Sequence, residues 1–411
     1  MQKSRVWAEV DLDAVTGNLR RLRFLAGEGR GVMAIVKANA YGHGAVPIAW
    51  HLASQGVTML GVGDSQEAME LRQAGLSIPV LILGAVVHGE LPDVLAHDIA
   101  VTVHSAERVR VLEREARRVR RCASVHLKVD TGMGRLGCAP RRAVDVARLI
   151  AASEHLRLDG LCTHFASVGP DDDGFTAQQL SRFEEISAAV AAAGIPLPPR
   201  HASATGAILT RTAAHLDLVR PGLGLYGLAP TPALREGLQP ALSLRTQVIF
   251  LKDFAPGTPI GYGREHVTSR RTRIATLPVG YNDGYAFRLG GRGEVLVRGR
   301  RAPVVGRVSM DYLTVDVGHV PGVSVGDEVV LLGRAGPEEV SAQELADRAG
   351  TIVYEVLTRL GKRVTRVYRG GAASLPRGFS VVARPGRKEA LRETETADLE
   401  GRPPSPPSHP A

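Results

Sequence analysis

The sequence predicts an α/β protein of two parts, an N-terminal (β/α)8 barrel followed by a smaller, mostly β domain. Three observations predict it. Up to about residue 220, eight short apolar runs of buried-strand length alternate with segments of helical period. From about residue 241 that alternation stops, and β-rich runs separated by Gly and Pro take over. The length of 411 residues also exceeds what one ordinary core organises. We expect a barrel over residues 9–238, a β domain over 239–370 with residues 1–8 packing on it, and a disordered tail over 371–411, where Pro, Arg and Ser accumulate.

The elements follow in order. A strand is expected at 6–12 and a helix capped by Asp13 through residue 25. Barrel strands are expected at 32–37, 58–62, 80–83, 99–103, 125–129, 156–163, 200–203 and 216–220. Helical patterns lie between them at 43–55, 65–74, 107–119, 141–152 and 176–193, the last entered through three aspartates, 171–173, that suit N-terminal capping. In the second domain LRTQVIFL, TRIATLPVGY, GEVLVRG, APVVGRVSM, YLTVDV and DEVVLLG read as strands, and 342–349 and 354–360 as helices.

Composition excludes several functions. A net charge of +9 raises the question of nucleic acid, but the basic residues are scattered among 42 acidic ones. The densest basic stretch, SAERVRVLEREARRVRR from Ser105, reads as the solvated face of an amphipathic helix. An aromatic content of 4% supplies few base-stacking platforms. Cys122, Cys138 and Cys162 match no zinc spacing and make no disulfide framework, and Cys122 and Cys162 sit beside apolar strand patterns as core thiols. His43 and His201 lack metal-ligand partners at useful spacing, so no metal is expected. The N-terminus has no apolar signal core, and the longest apolar run, 76–87, is shorter than the roughly 18 residues of a membrane span. A cytoplasmic protein without membrane or nucleic-acid partners is expected.

The most informative stretch is AIVKANAYGHG, residues 34–44. Its lysine, Lys37, ends an apolar strand, and it is one of only six lysines among 51 basic residues. Arginine cannot lose its proton, whereas a desolvated ammonium can have its pKa lowered and act as nucleophile or base. The amine chemistry that most needs this is a Schiff base with a carbonyl compound or with pyridoxal 5'-phosphate (PLP). Tyr41 and the small residues around His43 follow, an opening that could approach a phosphate. Barrel enzymes place their chemistry at the carboxyl ends of the strands. There the chain carries Lys37, Lys128 with DTGMGRLG, His164, Thr205, and Arg220 ahead of PGLGLYG. The loops after the last two strands, with Thr205, Gly222 and Leu223, occupy the usual phosphate position of such barrels.

AIVKANAYGHG, HLKVDTGMGRLG, VRPGLGLYG, IGYG and GRVSMDYLTVDV, in that order, resemble alanine racemase from about residue 5 to 368. The resemblance implies a PLP enzyme with a barrel and a C-terminal β domain, acting on alanine as a homodimer that shares its active sites and supplying D-alanine for peptidoglycan. It implies that Lys37 holds PLP and that Tyr262, in IGYG, is the second base, brought from the other subunit. Taken alone, Tyr262 reads as a turn aromatic. Racemisation removes the Cα proton from one face and returns one to the other, so two groups on opposite faces suffice. The resemblance also places His164 and Arg220 in the network that lets the phenol act near neutral pH, and Arg220 against the pyridine nitrogen. Arg135 and the backbone amide of Met310 would contact the substrate carboxylate. Lys128 matches a residue carbamylated in many relatives, and a lysine buried for packing is the alternative. Tyr41, Thr205, Gly222, Leu223 and Tyr354 would hold the phosphate, Thr205 standing in HASATGA where the family more often has serine. An amino-acid racemase of broader specificity, such as for serine, and a non-catalytic PLP carrier are the alternatives. The carrier lacks a second domain. A barrel-type PLP decarboxylase would need a glycine-rich phosphate signature and a cysteine motif that the chain does not have.

Overall fold

A computed structural model describes residues 4–168, 174–371, 375, 379 and 381–382. The aspartates 171–173 lie outside these residues, as does most of the tail. The chain begins in its second domain. Strand β1 (Val6–Asp11) runs into a helix, Leu12–Ala26, whose cap is Asp11 rather than the expected Asp13: its carboxylate accepts the Ala14 N–H at 3.0 Å. The barrel strands follow: β2 (Gly31–Ile35), β3 (Met59–Val62), β4 (Val80–Ile82), β5 (Ala100–Val103), β6 (Ala123–Lys128), β7 (Leu156–Cys162), β8 (Arg200–His201) and β9 (Leu218–Val219). Successive strands pair in parallel from β2 to β8, and β9 returns to β2. A bridge between Ala204 and Arg220 joins β8 to β9 and closes the ring. Every residue of β3, β4 and β5 is buried, as parallel strands covered by helices on one face and filled by side chains on the other must be.

The helices sit near their expected positions: Ala45–Ser54, Ser65–Gln73, Ala106–Arg118, Ala143–Ala151 and Phe175–Ala192. Each turns an apolar stripe inward, as Val109, Leu112 and Ala116 do on the arginine-rich Ala106–Arg118. Two short helices, Leu91–Ala96 and Thr205–Thr210, had no clear period to announce them. Cys138 and Cys162 are buried, but Cys122 is exposed, because it precedes β6 rather than lying within it.

The second domain is built on a sheet of β10 (Leu242–Gln247), β11 (Phe250–Phe254), β14 (Thr272–Leu277), β15 (Glu294–Val297), β16 (Arg300–Val305), β17 (Leu313–Asp316), β18 (Glu328–Ala335) and β20 (Thr365–Arg369), with β19 (Glu338–Val340) against β18. The short pair β12 (Pro259–Ile260) and β13 (His266–Val267) stands apart. β1 enters between β10 and β20, antiparallel to the first and parallel to the second. At the outer side of β20, β21 (Val381–Val382) pairs in parallel, so those two tail residues have a fixed place, contrary to the expected disorder from 371. Asn18 ties the barrel to the connection between domains: its amide donates to Leu225 and Gln239 carbonyls at 3.1 and 2.8 Å and accepts the Gln239 N–H at 2.8 Å. With every group of that buried amide paired, burial incurs little penalty.

Candidate active site

The carboxyl ends of the barrel strands surround a cavity of about 400 Å³. Lys37, Tyr41, Lys128, Arg135, His164, Thr205, Arg220, Gly222, Leu223 and Tyr354 all line it. Ten of the residues expected at the site thus converge, although they are spread over more than 300 positions of sequence.

Lys37 lies two residues beyond β2, at the start of a turn that sequence pattern did not predict. Ala38, Asn39, Ala40 and Tyr41 all have φ of 52–54°, a left-handed turn in residues with a Cβ. That conformation costs roughly 1–2 kcal/mol per residue, so its surroundings must hold it. Glu67 accepts the Ala38 N–H at 2.5 Å and the Gly63 N–H at 2.7 Å, and the Asn39 carbonyl oxygen of the side chain accepts the Ala45 N–H at 2.7 Å. The second domain closes on the turn from outside. Arg366 donates to the Gly42 carbonyl at 3.1 Å and the Tyr368 hydroxyl to the His43 carbonyl at 3.0 Å. Gly42, at φ 84°, is forced by this contact: a Cβ there would lie 2.2 Å from the Leu357 carbonyl oxygen. The Lys37 side chain reaches into the open mouth of the cavity. Desolvation lowers its pKa, Arg135 lowers it further, and Glu67 opposes both.

Arg220 is 5% exposed, and both terminal nitrogens of its guanidinium are engaged. One guanidinium nitrogen donates to His201 Nδ1 at 2.8 Å. The other donates to the carbonyls of Ala202 and Thr163 at 2.7 and 2.9 Å and meets His164 Nδ1 at 3.2 Å. Arginine only donates, so both imidazoles present a lone pair at Nδ1 and carry their proton on Nε2. His201 then donates from Nε2 to His126 Nδ1, 2.8 Å away. Burial, followed by Arg220 and the other cations, pushes the His164 pKa down to about 3, so the ring is neutral near pH 7. Asp217, a conceivable partner for Arg220, pairs instead with Arg200 at 3.0 Å.

Beside Arg220 is a cradle of hydroxyls and amides. The Thr205 hydroxyl accepts the Gly222 and Gly224 N–H groups at 3.2 and 3.0 Å, which leaves its own proton to offer. Tyr41 stands over Gly222 so closely that a Cβ would meet its hydroxyl at 2.6 Å. The Tyr41 and Tyr354 rings are 6.1 Å apart. Burial raises both phenol pKa values, so both remain donors at neutral pH. Lys128 donates to the Leu83 carbonyl at 3.3 Å, and burial lowers its pKa, as do Arg220, Arg135 and Lys37. Four cationic side chains therefore face one cavity, and this donor set suits a ligand carrying a phosphate and a carboxylate.

Tyr262 and Met310 are not in this cavity. Tyr262 is 72% exposed on the second domain, next to Arg307, and Met310 is 53% exposed beside Tyr281. Tyr281, Phe287 and Tyr312 are exposed on the same domain. Glu67 and His126 were the participants that sequence reading passed over, and His201 was considered only as a metal ligand. Glu67 stands in an Asp64-x-x-Glu67 helix start, which signals a cap and nothing more. Among the described residues no group of three His, Cys, Asp or Glu side chains could hold a metal, and no helix is long and apolar enough to cross a membrane.

Comparison with known proteins places these features in context. Residues 10–230 match the family model described as the N-terminal domain of alanine racemase, and residues 241–368 the model of its C-terminal domain. The chain is 45% identical over 369 residues to an alanine racemase of Symbiobacterium thermophilum, covering 89% of this chain and 98% of that one. It is 41% identical over 365 residues to that of Halothermothrix orenii, covering 88% and 96%. Its fold is similar to the crystal structure of alanine racemase from D-cycloserine-producing Streptomyces lavendulae, with a TM-score of 0.85 and 38% identity over 90% of this chain and 98% of that one. It is also similar to the alanine racemase of Bacillus anthracis with bound L-Ala-P, with a TM-score of 0.83 and 34% identity over 90% and 97%.

Proposed function

The chain belongs to the alanine racemase family and is an isomerase, and from that premise we propose that it interconverts L- and D-alanine with PLP as cofactor, using Lys37 and Tyr262 as opposed bases. What carries the proposal is the cavity itself. A lysine of lowered pKa stands at one end of a cationic, hydroxyl-lined space large enough for a cofactor phosphate and a small amino acid. PLP, when bound, supplies a covalent link to an amine and a ring that withdraws electrons from Cα.

The residues divide the work. Thr205, Tyr41, Tyr354 and the backbone at Gly222 and Leu223 would hold the phosphate, and Lys37 the carbonyl carbon. Arg220 would meet the pyridine nitrogen only as a donor, because a guanidinium does not hand over its proton. Arg135 would hold the substrate carboxylate, with the Met310 amide as its second contact. Lys37 then takes or returns the Cα proton on one face, and Tyr262 does so on the other. Tyr262 and Met310 reach the cavity from a second copy of the chain, which fits their exposure on the other domain. His164, neutral and with its proton on Nε2, can donate toward that phenol and help hold it as phenolate. Lys128 in carbamylated form would give Arg135 an anion to pair with, and intact-mass measurement under native conditions tests for the added carbon dioxide. Alanine is the proposed substrate, the cytoplasm the proposed location, and peptidoglycan the proposed destination of D-alanine. Incubation with L-alanine in deuterium oxide tests the reading. Cα exchange together with decay of optical rotation is expected, and exchange without loss of rotation would overturn it.

A further inference from the structure

The helix Phe175–Ala192 packs on the barrel through Thr176, Gln179, Phe183, Ile186 and Val190. Four-residue spacing puts Gln179 on this stripe beside Phe183, where an apolar side chain is the usual occupant. Gln179 is 0% exposed, and a primary amide so placed is tolerated only with its groups paired. They are paired, and to two different loops. Its Oε1 accepts the Ala166 N–H at 2.9 Å, and its Nε2 donates to the His164 carbonyl at 3.2 Å. Those residues belong to the loop after β7. The same Nε2 donates to the Thr131 hydroxyl at 3.4 Å, in the loop after β6 that carries Arg135.

Thr131 extends the link. Its hydroxyl lies 2.8 Å from that of Thr163, and its carbonyl accepts from Arg182 at 3.1 Å. Beside it, Asp130 accepts the N–H groups of Gly132 and Gly134, both at 3.0 Å, and so shapes the turn leading to Arg135. On the other loop Arg220 holds the Thr163 carbonyl. One side chain that does not line the cavity thus spans the two loops that supply Arg135 and His164.

We propose that Gln179 is a positioning residue that fixes the spacing between Arg135 and His164 and thereby places the substrate carboxylate. The inference rests on the reading of Arg135 as the carboxylate contact. Replacement by leucine keeps the bulk but removes a partner from the Ala166 N–H, the His164 carbonyl and the Thr131 hydroxyl at once. Replacement by glutamate is a sharper probe. One oxygen can still accept from Ala166, but the other faces the His164 carbonyl, itself an acceptor, so the site favours the protonated carboxyl. Gln179→Glu should therefore resemble the parent at low pH and Gln179→Leu at high pH.

The test uses the full-length, cofactor-loaded protein with Gln179→Leu, Gln179→Glu and Arg135→Ala. KM and kcat for L-alanine are measured between about pH 6 and pH 9, where a buried glutamic acid can titrate. Amide hydrogen exchange is followed over residues 130–137 and 163–168. Gln179→Leu is expected to raise KM about tenfold with kcat lowered less than about threefold, the signature of a lost ground-state contact. Exchange is expected to accelerate in both loops together. In Gln179→Glu the ratio of KM to that of the parent should climb with pH, whereas for Gln179→Leu it stays level. If Gln179→Leu fails to fold, the pH titration of Gln179→Glu carries the test alone. Unchanged KM in the Gln179 variants, or exchange confined to their own helix, overturns the positioning role while Arg135→Ala still raises KM. An Arg135→Ala protein with unchanged KM would instead remove the reading beneath it.

Discussion

The barrel mouth and the face of the second domain that bears Tyr262 are built in opposite ways. At the mouth, the groups that frame the cavity are tied before any ligand arrives. Arg220 has hydrogen bonds to His201, His164 and two carbonyls, Thr205 holds two amides, and a left-handed turn is clamped by Glu67 on one side and Arg366 on the other. On the second domain, by contrast, Tyr262, Met310, Tyr281 and Tyr312 expose large side chains to solvent. Preorganisation at the first region suits holding a cofactor, and exposure at the second suits a surface that becomes a site on meeting another copy. The difference separates two properties that activity alone would merge: one chain should suffice to hold cofactor, and two should be needed to racemise.

The largest expected effect breaks the first region. On the proposed reading Lys37 is both the attachment and one base, so Lys37→Ala should lower racemisation by more than the ~10⁴-fold of a single acid–base group and abolish the visible absorbance of lysine-bound cofactor. Next, Tyr262→Phe should leave that absorbance in place and cost ~10²–10⁴-fold in kcat, since it takes one proton carrier from one face. Full activity in that variant would contradict the two-base reading. A smaller effect sharpens the contrast through pH. Burial holds the barrel imidazoles His43 and His126 at pKa about 4 and His164 at about 3. The unfolded chain takes up their protons near pH ~6.5 and the folded chain does not, so stability falls as pH drops from there toward about 4, by up to ~1.4 kcal/mol per unit for each ring. Thermal unfolding followed from pH 7.5 down to pH 4.5 should show a midpoint that declines once the pH passes below about 6.5, and a flat profile there would contradict the buried, neutral assignment.

Much of the barrel was legible because its strands are short apolar runs at regular intervals, and chemistry at their carboxyl ends follows from the architecture. Lys37 stood out because the chain otherwise writes positive charge with arginine. The local conformation at Lys37 was not legible. Four non-glycine residues in a left-handed turn contradict local preference and are held by Glu67 and by Arg366, which reaches the Gly42 carbonyl across 324 positions of sequence. Asp11 displaced Asp13 as a cap for a milder reason, since either aspartate satisfies the same sequence pattern. His201 was weighed only as a metal ligand. Its role as an acceptor for Arg220 appears only once β8 and β9 lie side by side. Tyr262 was legible by resemblance alone, and within one chain it does not line the Lys37 cavity, although Tyr354 of the same domain does.

Mixing two inactive proteins tests the shared site most directly. Lys37→Ala and Tyr262→Phe chains are combined, allowed to exchange subunits, and assayed for racemisation of L-alanine. A heterodimer pairs the intact Lys37 of one chain with the intact Tyr262 of the other, so an equal mixture should recover about a quarter of the parent activity, half the dimers each holding one whole site. A mixture that exchanges subunits yet stays as inactive as its components would show that the two residues do not meet across the interface.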